Sequence, residues 1–193
     1  MEEFSESVGQ VARDARHDQP GLGADDLQRL WAPWRFGYVA GAPPLEGCPF
    51  CVLPQRDSAR DRESLILHRG EHCFVIFNAY PYNPGHLMVV PYGHLADLED
   101  LDEAVAQELW SLGRRAVQVL KQQVRAQGVN LGMNLGAAGG AGIAEHLHLH
   151  AVPRWTGDTN FISVIGSARV LPRALEELWD ELAPGFDDHE DAP

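Results

Sequence analysis

The chain has 193 residues, 45% of them hydrophobic and 22% charged, and carries a formal net charge of −13. That size suits one domain with appended tails, and the charge argues against broad nucleic-acid binding, which needs a basic surface to neutralise phosphates. No apolar run approaches the ~20 residues that span a bilayer, Met1 to Gln19 lacks a signal peptide's apolar stretch, and three cysteines make no secreted disulfide framework, so a cytoplasmic chain with no membrane partner is expected.

Residues 1–26 are rich in Glu, Asp, Arg, Gln and Gly and read as a disordered N-terminal tail. An ordered domain is expected over 27–183, with Trp31, Trp34 and Phe36 packing near its start. Cys48-Pro49-Phe50-Cys51 follows, a spacing open to metal or redox use, although no βαβ context supports the redox reading. Strand signals occupy Leu65–His68, Cys73–Phe77 and His86–Pro91, the last two separated by the turn Tyr80-Pro81-Tyr82-Asn83-Pro84-Gly85 and therefore paired antiparallel. Helical spacing of Leu101, Val105, Leu109, Leu112, Ala116, Val119, Leu120 and Val124 predicts a helix over Leu98–Gln127, closed by Gly128. Strands over Val129–Asn134 and His146–Val152 come next, then an amphipathic helix from Pro172 to Leu182 and a disordered acidic tail over 184–193. The class is α+β: about five antiparallel strands, one long helix and a C-terminal helix.

The chemistry concentrates in Glu145-His146-Leu147-His148-Leu149-His150-Ala151-Val152. In a strand His146, His148 and His150 share one face while Leu147, Leu149 and Ala151 line the other. Three adjacent imidazoles make a poor core, because buried ring nitrogens need partners. They suit phosphorus chemistry: a neutral imidazole with one N–H held by an acceptor is a nucleophile through its other nitrogen. On this reading the middle residue, His148, is the nucleophile, and His146 and His150 would donate to phosphate oxygens and the leaving group; a histidine-rich edge strand without catalysis is the alternative. The glycine-rich stretch Leu135–Ile143 leads into this run and offers backbone N–H groups to an anion, Gly140, Ala141 and Gly142 among them, without being a Walker loop.

His146–Val152, followed by Pro153-Arg154-Trp155 and preceded by Asn78-Ala79-Tyr80-Pro81-Tyr82-Asn83-Pro84-Gly85-His86, resembles the signature of the histidine triad (HIT) superfamily of nucleotidyl hydrolases and transferases. The resemblance spans roughly Leu30 to Trp155, and is greatest toward the actinobacterial diadenosine tetraphosphate (Ap4A) phosphorylases. It implies the HIT fold and dimerisation across the helix and sheet edge, as a homodimer or homotetramer. It implies Asn78 on ribose hydroxyls, Asn134 near phosphate and triad, and His86 as a supporting histidine. Trp155 and Arg154 are candidates for adenine and phosphate, with subunit packing and a plain surface arginine as their alternatives. The polar Gln or Ser that many relatives carry before the triad is absent, leaving Gly142, Ile143 and Ala144. In the galactose-1-phosphate uridylyltransferase branch, a cysteine pair joins one histidine after the third strand and the first triad histidine around zinc. That pattern implies structural Zn²⁺ on Cys48, Cys51, His94 and His146.

The implied reaction is nucleotidyl transfer from a dinucleoside polyphosphate, Ap4A foremost: attack by His148, release of ATP, then capture of the adenylyl group by inorganic phosphate as ADP. Hydrolysis through the same intermediate, releasing AMP from a dinucleoside polyphosphate or a nucleoside phosphoramidate, is the alternative. A nucleotide binder without turnover and a zinc-bearing nucleic-acid module are weaker rivals, opposed by the intact His148 and by the −13 charge respectively. Cys73 reads as core, and His17, His68, His72 and His189 have no assigned role.

Overall fold

Five strands, β1 (Ile66–Arg69), β2 (Cys73–Phe77), β3 (Leu87–Pro91), β4 (Gly128–Met133) and β5 (Leu149–Arg154), form one sheet in the order β1-β2-β3-β5-β4. Every neighbouring pair is antiparallel. The computed structural model describes residues 46–158 and 173–187; the expected tail over 1–26, the Trp31–Phe36 segment and residues 188–193 lie outside them. Short helices α1 (Pro49–Val52) and α2 (Asp61–Ser64) precede the sheet, the long α3 (Glu103–Gln123) joins β3 to β4, and α4 (Leu175–Leu182) and α5 (Pro184–Asp187) follow it.

The apolar runs of β2 and β3 are buried at every position, as strands covered on both faces must be. On one face Leu87, Val89, Leu149 and Ala151 meet Leu109, Ala116, Val119 and Leu120 of α3 together with Leu178 and Leu182 of α4. On the other, Ile66, Phe74, Ile76, Met88 and Val90 pack with Phe50 of α1. Gly113 lets α3 sit directly on the sheet: a Cβ there would lie 2.7 Å from Cδ2 of Leu149. Because Leu149 and Ala151 face α3, His150, Val152 and Arg154 must face the opposite side of the sheet.

Several boundaries differ from the sequence expectation. β5 begins at Leu149, so His146 and His148 precede the strand instead of lying in it. The β3–β5 pairing stops at Val89↔Leu149, and the Leu147 N–H goes to Leu95 O at 2.7 Å, outside the sheet. The long helix covers Glu103–Gln123 and is closed by Arg125 at φ 54°, with Ala126 N–H on Leu120 O; Gly128 instead opens β4 opposite Arg154. Residues 184–187, expected in the acidic tail, are helical: Phe186 is buried and stacks on the His68 ring at 6.0 Å, so apolar burial carries order past residue 183. Among the described residues no helix is long and apolar enough to cross a membrane.

Candidate active site

The site forms where β5 starts, between the Tyr80–Gly85 turn and the Cys48–Cys51 turn. Gly85 takes φ 84°, the left-handed conformation that lets the turn deliver His86 into the sheet. Asn83, which carried no role in the sequence reading, anchors this turn from a buried position. Its amide donates to Pro153 O at 2.8 Å and to Asp158 Oδ2 at 2.7 Å. An Asn before Pro-Gly signals a turn, but only the fold shows that its partner is the far end of β5.

Obligate donors and acceptors settle where the imidazole protons sit. His148 Nδ1 lies 2.8 Å from His146 O; a carbonyl only accepts, so Nδ1 carries the proton and Nε2 keeps a lone pair. Burial pushes the His148 pKa below the ordinary range, against an opposing pull from the His146 carbonyl, and keeps the ring neutral at pH 7. His86 Nδ1 accepts from the Tyr82 N–H at 3.1 Å, so His86 holds its proton on Nε2 and donates to His150 Nδ1 at 2.9 Å. Neutral His150 then carries its proton on Nε2, where the Asn134 amide, 3.5 Å away, accepts it when turned to present its oxygen. Burial, with the neighbouring histidines' charges second, lowers His86 to about 3 and His150 to about 4, so both stay neutral. The His148 and His150 rings meet edge to face at 4.7 Å. The result is a lone pair on one ring and an N–H on the next, the two functions an attack on phosphorus requires.

A groove of about 590 Å³ opens over β4 and β5, lined by residues that include Tyr82, Asn130, Asn134, His150 and Arg154. Gly132 pairs with His150 and Asn130 with Val152, so β4 presents its polar side chains to the same face as the histidine. Asn130 escaped the sequence reading because nothing local says which strand pairs with β5. Tyr82 also went unassigned; its ring lies over His86 at 4.7 Å and His150 at 5.9 Å.

Other expected site residues fall elsewhere. His146 is no phosphate donor: its Nε2–H goes to Pro91 O at 2.9 Å and its Nδ1 faces the cysteines, so both nitrogens are committed and the residue is fully buried. Asn78 shapes the turn, accepting from the Tyr80 N–H and donating to His86 Nδ1, and does not line the groove. Trp155 packs on the core and donates its indole N–H to Arg125 O, away from the groove. Gly140 and Ala141 direct their N–H groups inward to Ala137 O and Gly136 O, closing a tight turn rather than an anion nest; nothing lies within 4 Å of where a Gly142 Cβ would stand. Arg154 lines the groove but is held by Asp158 through Nε at 2.6 Å and a terminal nitrogen at 2.8 Å.

Cys48 Sγ, Cys51 Sγ, His94 Nδ1 and His146 Nδ1 converge, all within 4.8 Å of one another. Individual separations are 3.4 Å for Cys48–His146, 3.3 Å for Cys51–His94 and 3.2 Å for His94–His146. These are the edges of a tetrahedron around an ion with bonds of about 2.0–2.3 Å. The Pro91 carbonyl fixes His146 in the tautomer whose Nδ1 is free to ligate, as an outer partner of a metal ligand does. The cluster can therefore hold a metal ion.

Comparison with known proteins agrees with this geometry. The HIT domain model matches residues 59–157. Over 169 residues the chain is 45% identical to the AP-4-A phosphorylase of Mycobacterium tuberculosis, covering 82% of this chain and 84% of that protein. A hypothetical histidine triad nucleotide-binding protein from Sulfolobus tokodaii superposes with a TM-score of 0.56 at 28% identity, over 72% of this chain and 92% of the other. A Zn-bound histidine triad family protein from Mycobacterium smegmatis gives a TM-score of 0.53 at 28% identity, over 63% of this chain and 82% of its own.

Proposed function

We propose that this chain, which belongs to the HIT domain family, cleaves Ap4A with inorganic phosphate to ATP and ADP by way of an adenylyl-histidine. The observation that carries the reading is the His148 Nδ1–H held on His146 O, which leaves Nε2 as the unprotonated nitrogen beside the His150 proton. The likeness to the mycobacterial AP-4-A phosphorylase supports the substrate.

In this reaction His148 Nε2 attacks the phosphorus bearing adenosine. The new N–P bond forms as the P–O bond to the remaining phosphates breaks, and ATP leaves with the bonding pair. An oxygen of inorganic phosphate then attacks the same phosphorus, the N–P pair returns to Nε2, and ADP departs. His150 Nε2–H, oriented through His86, stabilises the charge that grows on the phosphoryl oxygens. Asn134, Asn130 and Tyr82, on the groove wall, are the side chains offered to the nucleotide.

Cys48, Cys51, His94 and His146 would hold Zn²⁺. Four protein ligands leave no open position, so the ion would cross-link the Cys48–Cys51 turn to the catalytic run and would not activate water. The working form is proposed to be a homodimer or homotetramer.

The test is mass spectrometry of the products formed from Ap4A with and without inorganic phosphate. ATP and ADP, dependent on phosphate, are expected. ATP and AMP irrespective of phosphate would overturn phosphate as the acceptor, and unchanged Ap4A in both reactions would overturn the substrate.

A further inference from the structure

Phe50 stands between the two cysteines of the metal cluster, and its side chain reaches the nucleophile. It is 4% exposed. Its ring meets the His146 imidazole edge-on at 5.4 Å and lies against the His148 imidazole at 5.2 Å, tilted by 51°. The backbone that carries it is a single helical turn, Pro49–Val52, with no side-chain cap. Such a short helix cannot hold its own conformation in water. What locates it are the apolar contacts of Phe50 and Leu53 and the convergence of the Cys48 and Cys51 sulfurs on His94 and His146.

His148 is constrained from three sides. Its Nδ1–H is held by the carbonyl of His146, itself a member of the cluster; Phe50 lies against its ring; the His150 ring lies edge to face with it at 4.7 Å. Two of those three restraints belong to residues of the Cys48–Cys51 turn or the cluster it completes.

We propose that Phe50 is a positioning residue: by holding the Cys48–Cys51 turn, the metal presses Phe50 and the His146 carbonyl onto His148 and thereby fixes the ring in its Nδ1–H tautomer, with the lone pair on Nε2. The inference rests on His148 as the nucleophile but not on which nucleotide it attacks. Without the ion, the turn and the His146 carbonyl lose their common anchor. The imidazole then samples both tautomers, and a fraction of molecules present N–H where the lone pair is needed.

The test uses the full chain, labelled with ¹⁵N in its histidine side chains. Spectra are recorded at pH 8, where the imidazole is neutral throughout, for the zinc-loaded protein, the chelated protein, and zinc-loaded Phe50→Ala and Phe50→Leu. In the zinc-loaded parent the two His148 ring nitrogens should show the widely separated shifts of a single tautomer. In the chelated protein and in Phe50→Ala they should move toward each other, with Phe50→Leu between. Metal analysis should find about one zinc per chain in both variants, because no ligand is removed. On Ap4A, kcat of Phe50→Ala should fall 10- to 100-fold, roughly the effect of losing an outer partner in a metal site, with KM little changed. Unmoved His148 shifts in the chelated protein and in either folded variant would overturn the proposal, and so would loss of zinc from both variants. If Phe50→Ala does not fold, Phe50→Leu and the chelated parent decide it. Because the shifts are read without nucleotide, a protein whose tautomer responds as described but leaves Ap4A intact would refute the substrate reading alone.

Discussion

His86→Gln isolates one buried ionisation. His86 is fully buried, and burial together with the charges of His150 and His148 lowers its pKa to about 3, against an ordinary 6.5 in the unfolded chain. A group whose folded pKa is depressed contributes its full stability above the unfolded pKa. Below 6.5 the unfolded state binds a proton that the folded state refuses, so stability falls as pH falls toward the folded value. The slope is about 1.4 kcal/mol per pH unit for one proton, or roughly 3 kcal/mol between pH 6 and 4. Gln can still accept from the Tyr82 N–H or donate toward His150, and it does not titrate. His150 also ends near 4, but burial and His148 lower it, so its slope persists in the variant. Any metal contribution is common to both proteins and cancels in the comparison. Urea unfolding at a series of pH values from 6.5 to 4 should therefore show the variant losing roughly 3 kcal/mol less than the parent. Parallel pH profiles would refute the claim that His86 is held neutral, and with it the assignment of the His150 Nε2 proton.

Replacing His148 by Ala should lower Ap4A turnover by at least about a thousandfold, the scale seen when a covalent nucleophile is removed, while nucleotide affinity measured by calorimetry stays within a few-fold. Gly113→Ala drives a methyl to 2.7 Å from Leu149; overpacking of this kind costs about 1–3 kcal/mol, which calorimetry should register as a drop in Tm of several degrees. His94→Ala should leave the purified protein with much less than stoichiometric zinc, whereas His72→Ala, outside the cluster, should keep it. Asn83→Ala leaves the buried Pro153 carbonyl and Asp158 without their amide; chemical denaturation should show a loss of about 1–3 kcal/mol.

The family and the fold class were legible because motif spacing and hydrophobic periodicity are local properties. Alternation in His146–His150 and helical spacing from Leu101 to Val124 can be read from the residues themselves, as periods of two and 3.6. Boundaries were less legible. A Leu-His alternation continues through 146–148, yet the strand cannot, because the Leu147 N–H finds Leu95 O instead of a sheet partner. Likewise Phe186 sits among acidic residues that read as a tail, and only the sheet-and-helix surface it meets makes it core.

The proton positions on the histidines were decided by the folded structure. Sequence marks a row of three imidazoles; which nitrogen of each bears a proton depends on what faces it, and for His146 and His150 those partners, Pro91 O and His86, lie far along the chain. Pro91 O accepts the His146 Nε2–H and leaves its Nδ1 facing the cysteines, the His86 Nε2–H leaves His150 with its proton on Nε2, and the carbonyl of His146 leaves His148 with its lone pair on Nε2. Strand pairing is equally non-local: Asn130 and Asn134 enter the groove because β4 lies beside β5 at the sheet edge, and Asn78 and Trp155 leave it because their polar atoms are engaged by the turn and by Arg125 O. Residue types and spacing thus determined what chemistry the chain holds, and packing determined which nitrogen of each ring carries the proton, since a proton's location is set by the donor or acceptor that the fold brings nearest.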